Sequence, residues 1–258
     1  MPSIASTSTR TPIWRADMLH AGVPSRVVVT GQAALDAELP GGGWPLGGLV
    51  DLLQPEEGEA PLWPLLLPAL AVRQRGGAVL LMGVPQPPYL PALAAAGLLP
   101  TQVLWAPDEC PWMAEQALRC AGVAAVLAWL PHAREAELRR LHLTAAQRGD
   151  VLLFAVRPAQ AARGASPAPL RLRLELGEAM PQGLPGQGAA PLLVHIVKRR
   201  GPPLAAPLRL PVQPPVLRAL LAAGAARQGA GAQVLPFPAR WAGRPEGARD
   251  VDRLAVAA

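Results

Sequence analysis

The chain has 258 residues, 51% of them hydrophobic and 16% charged, so a sizeable core can form and wholesale disorder is excluded. Its 25 glycines and 32 prolines approach the level at which parts of a chain turn low-complexity. Among 24 basic residues only Lys198 is a lysine, which leaves almost no material for a Schiff base, a catalytic amine or a phosphate-loop lysine.

In chain order, residues 26–30 (RVVVT) form a short β-branched run, and 31–39 (GQAALDAEL) suit a brief helix that stops at Pro40 and the glycine run 41–43. Residues 49–53 (LVDLL) read as a buried strand. Residues 61–73 form an apolar helix in which Pro61 suits the first position, while Pro64 and Pro68 predict a kink. A second buried strand is expected at 78–84, a short helix at 89–98 and a third strand at 102–106. Residues 111–122 open with a helix-compatible proline behind Asp108 and Glu109, acids that the helix dipole favours there. A fourth strand at 124–130 precedes an amphipathic helix at 134–148 with Leu138, Leu141 and Ala145 on one face. Residues 151–156 (VLLFAV) are a fifth strand. Apolar strands alternating with helices predict a mainly parallel α/β sheet covered on both faces.

Past Arg157 the pattern changes. Residues 170–176 (LRLRLEL) alternate strictly, as a half-exposed antiparallel strand does, and 192–198 (LLVHIVK) can pair with them across a Pro/Gly-rich turn. The expected organisation is an extension at 1–25, a core domain at 26–210 and an Ala/Pro/Gly-rich tail at 211–258. That tail carries one helical candidate at 216–227.

The segment after the first buried strand occupies the place of a phosphate-binding loop. Such a loop needs glycine-freed backbone N–H groups, a Lys for the phosphates and a Ser/Thr hydroxyl for Mg²⁺. The sequence is QPEEGEA instead, and its degenerate positions are Gln54, Gly58, Glu59 and Ala60. Glu56, Glu57 and Glu59 would oppose a polyphosphate; one like-charge pair at about 4 Å costs roughly 1 kcal/mol in water and more when partly buried. Between Glu59 and Asp108 there is no acid, so none is expected at the end of the strand at 78–84. The strand at 124–130 likewise runs into Pro131 without one. Phosphoryl transfer relies on positioning, a metal and positive charge. The expectation is a chain that is not an enzyme and takes no cofactor.

Cys110 and Cys120 stand alone, and His20, His132, His142 and His195 are scattered, so no metal-ligand spacing appears. Residues 1–11 lack the apolar core of a signal peptide. The apolar stretches 61–72 and 121–131 are shorter than the roughly 20 residues of a membrane span. A soluble cytoplasmic protein with reduced thiols is expected.

The run TGQAALDAELPGGGWPLGGLVDLL (30–53) resembles the entry to the RecA core, where a small helix and a G-x-P-x-G turn lead into the first strand. More closely, the chain resembles the ImuA family of bacterial SOS-response proteins. The matching segments are Trp14 with Arg15, PPYLPALAAAGL (87–98), WMAEQALRCAGVAAVLAWLP (112–131), RRLHLTAA (139–146), SPAPLRLRL (166–174) and VKRRG (197–201), which together span about residues 12–205. The resemblance implies a RecA-like fold with a divergent nucleotide site, acting beside ImuB and an error-prone DnaE-type polymerase in translesion DNA synthesis, and at the nucleoid after DNA damage. A contact with RecA follows by analogy. A SulA-like cell-division inhibitor, a related RecA-like class without an ATP site, is the alternative.

The positive charge is concentrated late in the chain: residues 1–150 carry 10 basic and 13 acidic side chains, and 151–258 carry 14 and 5. Lys198, Arg199 and Arg200, with Arg171 and Arg173 on the neighbouring alternating strand, are the candidate contacts for DNA or an acidic partner. A solvated face is the competing reading. No aromatic residue lies nearby for base stacking, so any DNA contact is expected to be weak or indirect. Trp44 is expected to pack the glycine turn against the sheet. QVLPF (233–237) is similar to the short Gln-x-x-x-Phe peptides that dock on sliding clamps, with Pro where Leu is usual.

Overall fold

Strands that are apolar on both faces must lie between layers of helices, and the apolar runs of this chain do so. The structure is a computed structural model and describes residues 26–55, 61–178 and 190–213. The strands are β1 (Val27–Val28), β2 (Trp44–Pro45), β3 (Gly48–Gln54), β4 (Ala78–Met82), β5 (Val103–Ala106), β6 (Val123–Trp129), β7 (Leu152–Pro158), β8 (Leu170–Leu176), β9 (Leu192–Lys198) and β10 (Leu208–Leu210). The helices are α1 (Ala33–Glu38), α2 (Trp63–Gln74), α3 (Leu90–Ala95), α4 (Pro111–Arg119) and α5 (Glu135–Arg148).

Eight strands form one mixed sheet in the order β10-β9-β8-β3-β7-β6-β4-β5. From β8 to β5 all neighbours run parallel, whereas β8-β9 and β9-β10 are antiparallel. The fold is therefore α/β and RecA-like, mainly parallel and flanked by helices, with an antiparallel strand pair near the C-terminal end of the core. The chain leaves β3, returns beside it as β7 and crosses it to β8, so β3 stands where the strand order reverses. Open α/β sheets place ligand crevices at the carboxyl ends of strands around such a point.

Period-two alternation sorts the strand residues onto the two faces. Val50, Leu52, Leu152, Phe154, Leu170 and Leu172 share a core cluster with Leu65, Leu66 and Leu70 of α2. Leu49, Met82, Ala128 and Leu153 pack with Leu118 of α4 and with Leu138 and Leu141 of α5. Arg148, at the end of α5, donates to the carbonyls of Cys120 at 2.6 Å and Val123 at 2.8 Å, tying α4's exit to the sheet.

The run 26–30 makes only the two-residue β1, which pairs antiparallel with β2 outside the main sheet. Trp44 in β2 is fully buried, its ring edge-on to Phe154 at 5.2 Å between centroids. Pro64 falls in the first turn of α2, where its missing N–H costs nothing, and only Pro68 is interior. The third antiparallel strand, β10, is too short to announce itself in the sequence. The strands and helices of the described residues run from Val27 to Leu210. The helical candidate at 216–227 and the QVLPF peptide lie outside the described residues. Among the described residues no helix is long and apolar enough to cross a membrane.

On the α5 side the same alternation places one acid, Asp51, in the sheet interior. It has no solvent exposure. Arg157 of β7 grips it with Nε at 2.9 Å from Oδ1 and Nη2 at 2.7 Å from Oδ2, and Nε of Arg171 on β8 donates to Oδ2 at 2.9 Å. Arg171 also donates to the carbonyls of Ala161 at 2.8 Å and Gly164 at 3.1 Å, holding the 3₁₀ turn Ala159–Arg163 against the sheet. Arg171, expected among the possible DNA or partner contacts, is thus buried and its guanidinium is engaged internally. Its place opposite Asp51 in the β3-β8 register takes it out of that set.

Removing one member of a buried ion pair strands the others. Asp51→Ala is expected to lower the urea-unfolding free energy by about 3–5 kcal/mol. The triple change Asp51→Leu, Arg157→Met, Arg171→Met should recover most of that loss.

Candidate functional site

The carboxyl ends of the parallel strands are where an open α/β sheet places its ligand crevice. β3 ends at Gln54, which is buried; neither its side-chain oxygen nor its nitrogen has a hydrogen-bond partner among the described residues. Gly58, Glu59 and Ala60, with Glu56 and Glu57, lie outside the described residues.

An acid does reach the end of β4, against the expectation from local sequence. Met82 of β4 pairs with Ala106 of β5, and the Gly83 N–H donates to the Ala106 carbonyl at 2.9 Å. Glu109, three residues past Ala106, therefore arrives beside Gly83. A Cβ on Gly83 would stand 2.8 Å from Glu109 Cγ and 2.9 Å from the Trp129 carbonyl oxygen. Parallel pairing, not sequence proximity, brings this carboxylate in. The Asp-Glu pair just past the β5 run was the available signal.

Between the entry of α2, the 84–89 loop and the end of β6 lies a cavity of about 420 Å³. It is lined by Trp63, Trp129, Tyr89, Pro85, Pro87 and Leu93, among others, and among the described residues Tyr89 is the only ionisable one in the lining. The Trp63 and Trp129 rings stand 6.3 Å apart, tilted by 42°. The Trp129 indole N–H is buried and unpaired among the described residues, and Tyr89 is 72% exposed. Such a surface takes up apolar or proline-bearing groups and offers little to a phosphate.

The expected basic cluster does not assemble as one patch. Antiparallel pairing sets Arg173 opposite His195. Arg173 lies 3.1 Å from Glu175, which also meets His195 Nε2 at 3.1 Å. Lys198 is exposed and donates to the Ser166 carbonyl at 3.1 Å. Arg199 turns the other way and pairs with the Glu38 carboxylate at 2.8 Å and with the Glu38 carbonyl, at the end of α1. Arg200 is exposed, without an ion pair or side-chain hydrogen bond among the described residues.

His142 is not a free surface histidine. It is half-buried, and its Nδ1 accepts the Leu49 N–H at 3.3 Å. Burial first, and then the charge of Lys198, push its pKa below the ordinary 6.5. His132 is exposed. Cys110 is partly exposed and Cys120 exposed, both as free thiols, and among the described residues no three His, Cys, Asp or Glu side chains come together as a metal site.

No protein-family model matches the chain, and no curated protein matches it by sequence.

The lowered His142 value means that the unfolded chain takes the proton more readily than the folded one. Its contribution to stability is present above pH 6.5 and is lost as the pH falls through the lower folded value. Urea midpoints between pH 7.5 and 5 should fall further for the wild type than for His142→Asn.

Proposed function

We propose that this chain is a non-catalytic RecA-like accessory protein of SOS-induced, error-prone translesion DNA synthesis, a protein–protein adaptor for ImuB and a DnaE-type polymerase. The partners come from the sequence resemblance. The observation that carries the adaptor role is the aromatic and proline-lined cavity at the carboxyl end of the sheet, walled by Trp63, Tyr89 and Trp129. A RecA-like sheet that hydrolyses a nucleotide needs phosphate ligands near this pole. Here the sequence has Glu59 and Ala60 where a lysine and a hydroxyl would stand. An exposed tyrosine beside half-buried tryptophan is the composition of a protein-binding hot spot.

Glu109 supplies one carboxylate to this pole, and the rest of the phosphoryl-transfer set has no counterpart in the sequence. Arg173, Lys198 and Arg200 offer dispersed positive charge, which supports at most weak or indirect contact with DNA. A contact with RecA itself belongs to the same proposal.

Affinity capture of ImuB and the DnaE-type polymerase by the full chain tests the reading. Tyr89→Ala with Trp63→Ala is expected to weaken capture at least about tenfold, the effect of losing one hot-spot side chain. The melting transition should stay cooperative. Capture of neither protein by the wild type overturns the adaptor role, and filamentation of cells overproducing the chain would favour the division-inhibitor alternative. Tight Mg-ATP binding by calorimetry would overturn the non-catalytic reading.

A further inference from the structure

At the opposite pole, where the parallel strands begin, a second cavity of about 550 Å³ opens between β3, α5 and the start of β8. Its floor is nearly bare of side chains: Gly47, Gly48 and Gly149 line it. Gly47 has φ +69°, and a Cβ there would stand 2.7 Å from the Gly149 Cα. The Gly149 backbone fills the space a Gly47 side chain would need, whereas a Cβ on Gly149 would meet only the Ala146 carbonyl oxygen, at 4.0 Å, so open space lies over Gly149. Pro45, Pro169 and Leu170 form an apolar wall.

Among the described residues, the polar side chains of the lining are two arginines and a histidine. Arg26 enters from before β1 and Arg200 from beyond β9, and neither has an ion pair among the described residues. His142 is the third member. Because its Nδ1 accepts the Leu49 N–H, the ring hydrogen sits on Nε2, which is left as a donor. Among the described residues no Asp or Glu lines the cavity, and Asp150, next to Gly149, is already paired with Arg148 at 3.1 Å. Lys198 lies close enough to act on His142 and adds to the positive potential. Two guanidinium forks and one ring N–H, without a counter-charge among the described residues, match the terminal oxygens of a phosphate. The volume is that of a small-molecule site.

We propose that this cavity binds a small phosphate monoester, its phosphate held by Arg26, Arg200 and His142 and its apolar body against Pro45, Pro169 and Leu170. The site is independent of the aromatic cavity at the other pole and of any adaptor role.

The test is an NMR titration of the full chain at pH 7.5 with phenyl phosphate, inorganic phosphate and benzoate in separate arms. The His142 ring and the Gly47, Gly48 and Gly149 amides are followed. Phenyl phosphate is expected to give saturable shifts at these positions. Arg26→Ala and Arg200→Ala should each weaken binding about tenfold or more, the usual effect of losing a charge-assisted pair, with the melting transition unchanged. Benzoate and inorganic phosphate should both bind more weakly. No saturable shift, or shifts indifferent to both arginine changes, overturns the site. Inorganic phosphate binding as tightly as phenyl phosphate removes the role of the apolar wall, and benzoate binding as tightly overturns the choice of phosphate.

Discussion

Asp51 sits in the middle of the sheet with no access to water, and the surrounding architecture is arranged so that its charge is answered. A lone buried carboxylate costs several kcal/mol, and three strands cooperate to offset that cost. β3 carries the acid, while β7 and β8 on either side each contribute an arginine. A one-residue slip of either neighbour would send its arginine to the opposite, apolar face, so the ion cluster specifies register more sharply than apolar contacts alone. Arg171 extends the same constraint to the carbonyls of 161–164, the link that carries the chain across β3.

This arrangement alters the meaning of the positive charge in the second half of the chain. Arg157 and Arg171 neutralise a buried acid, Arg199 holds the end of α1 through Glu38, and Arg173 shares Glu175 with His195. Among the described residues, Lys198 and Arg200 stay exposed at and just beyond the end of β9, with Arg163 and Arg209 exposed on other segments. A stripe able to follow a nucleic-acid backbone needs such charges in a row. The two poles of the sheet differ accordingly: aromatic and proline-rich at the carboxyl ends, cationic and glycine-floored at the amino ends.

Much of the architecture was legible in the sequence because buried parallel strands are short apolar runs and the helices between them are bounded by proline and glycine. The residues 170–176 alternate leucine with charge, and that alternation correctly marked the turn from parallel to antiparallel pairing. Less legible were the positions whose meaning depends on a neighbouring strand. Asp51 in LVDLL looked like one acid in a strand, and Arg171 looked like its exposed neighbour Arg173, because alternation tells which face a residue takes and not what covers that face. The 3₁₀ turn at 159–163 covers Arg171, while Arg173 stays half-exposed.

Composition and periodicity by themselves determined the class of fold, the run of strands and helices along the chain and the presence of Glu59 and Ala60, with no lysine, in the segment after the first buried strand. Those properties are local, written in side-chain type and spacing. Only the tertiary structure decided that Asp51 meets Arg157 and Arg171, that Glu109 reaches the end of β4, and that Arg26, His142 and Arg200 border one cavity. Each of these joins segments distant in sequence through strand order and register, and both are set by the simultaneous packing of both faces of the sheet.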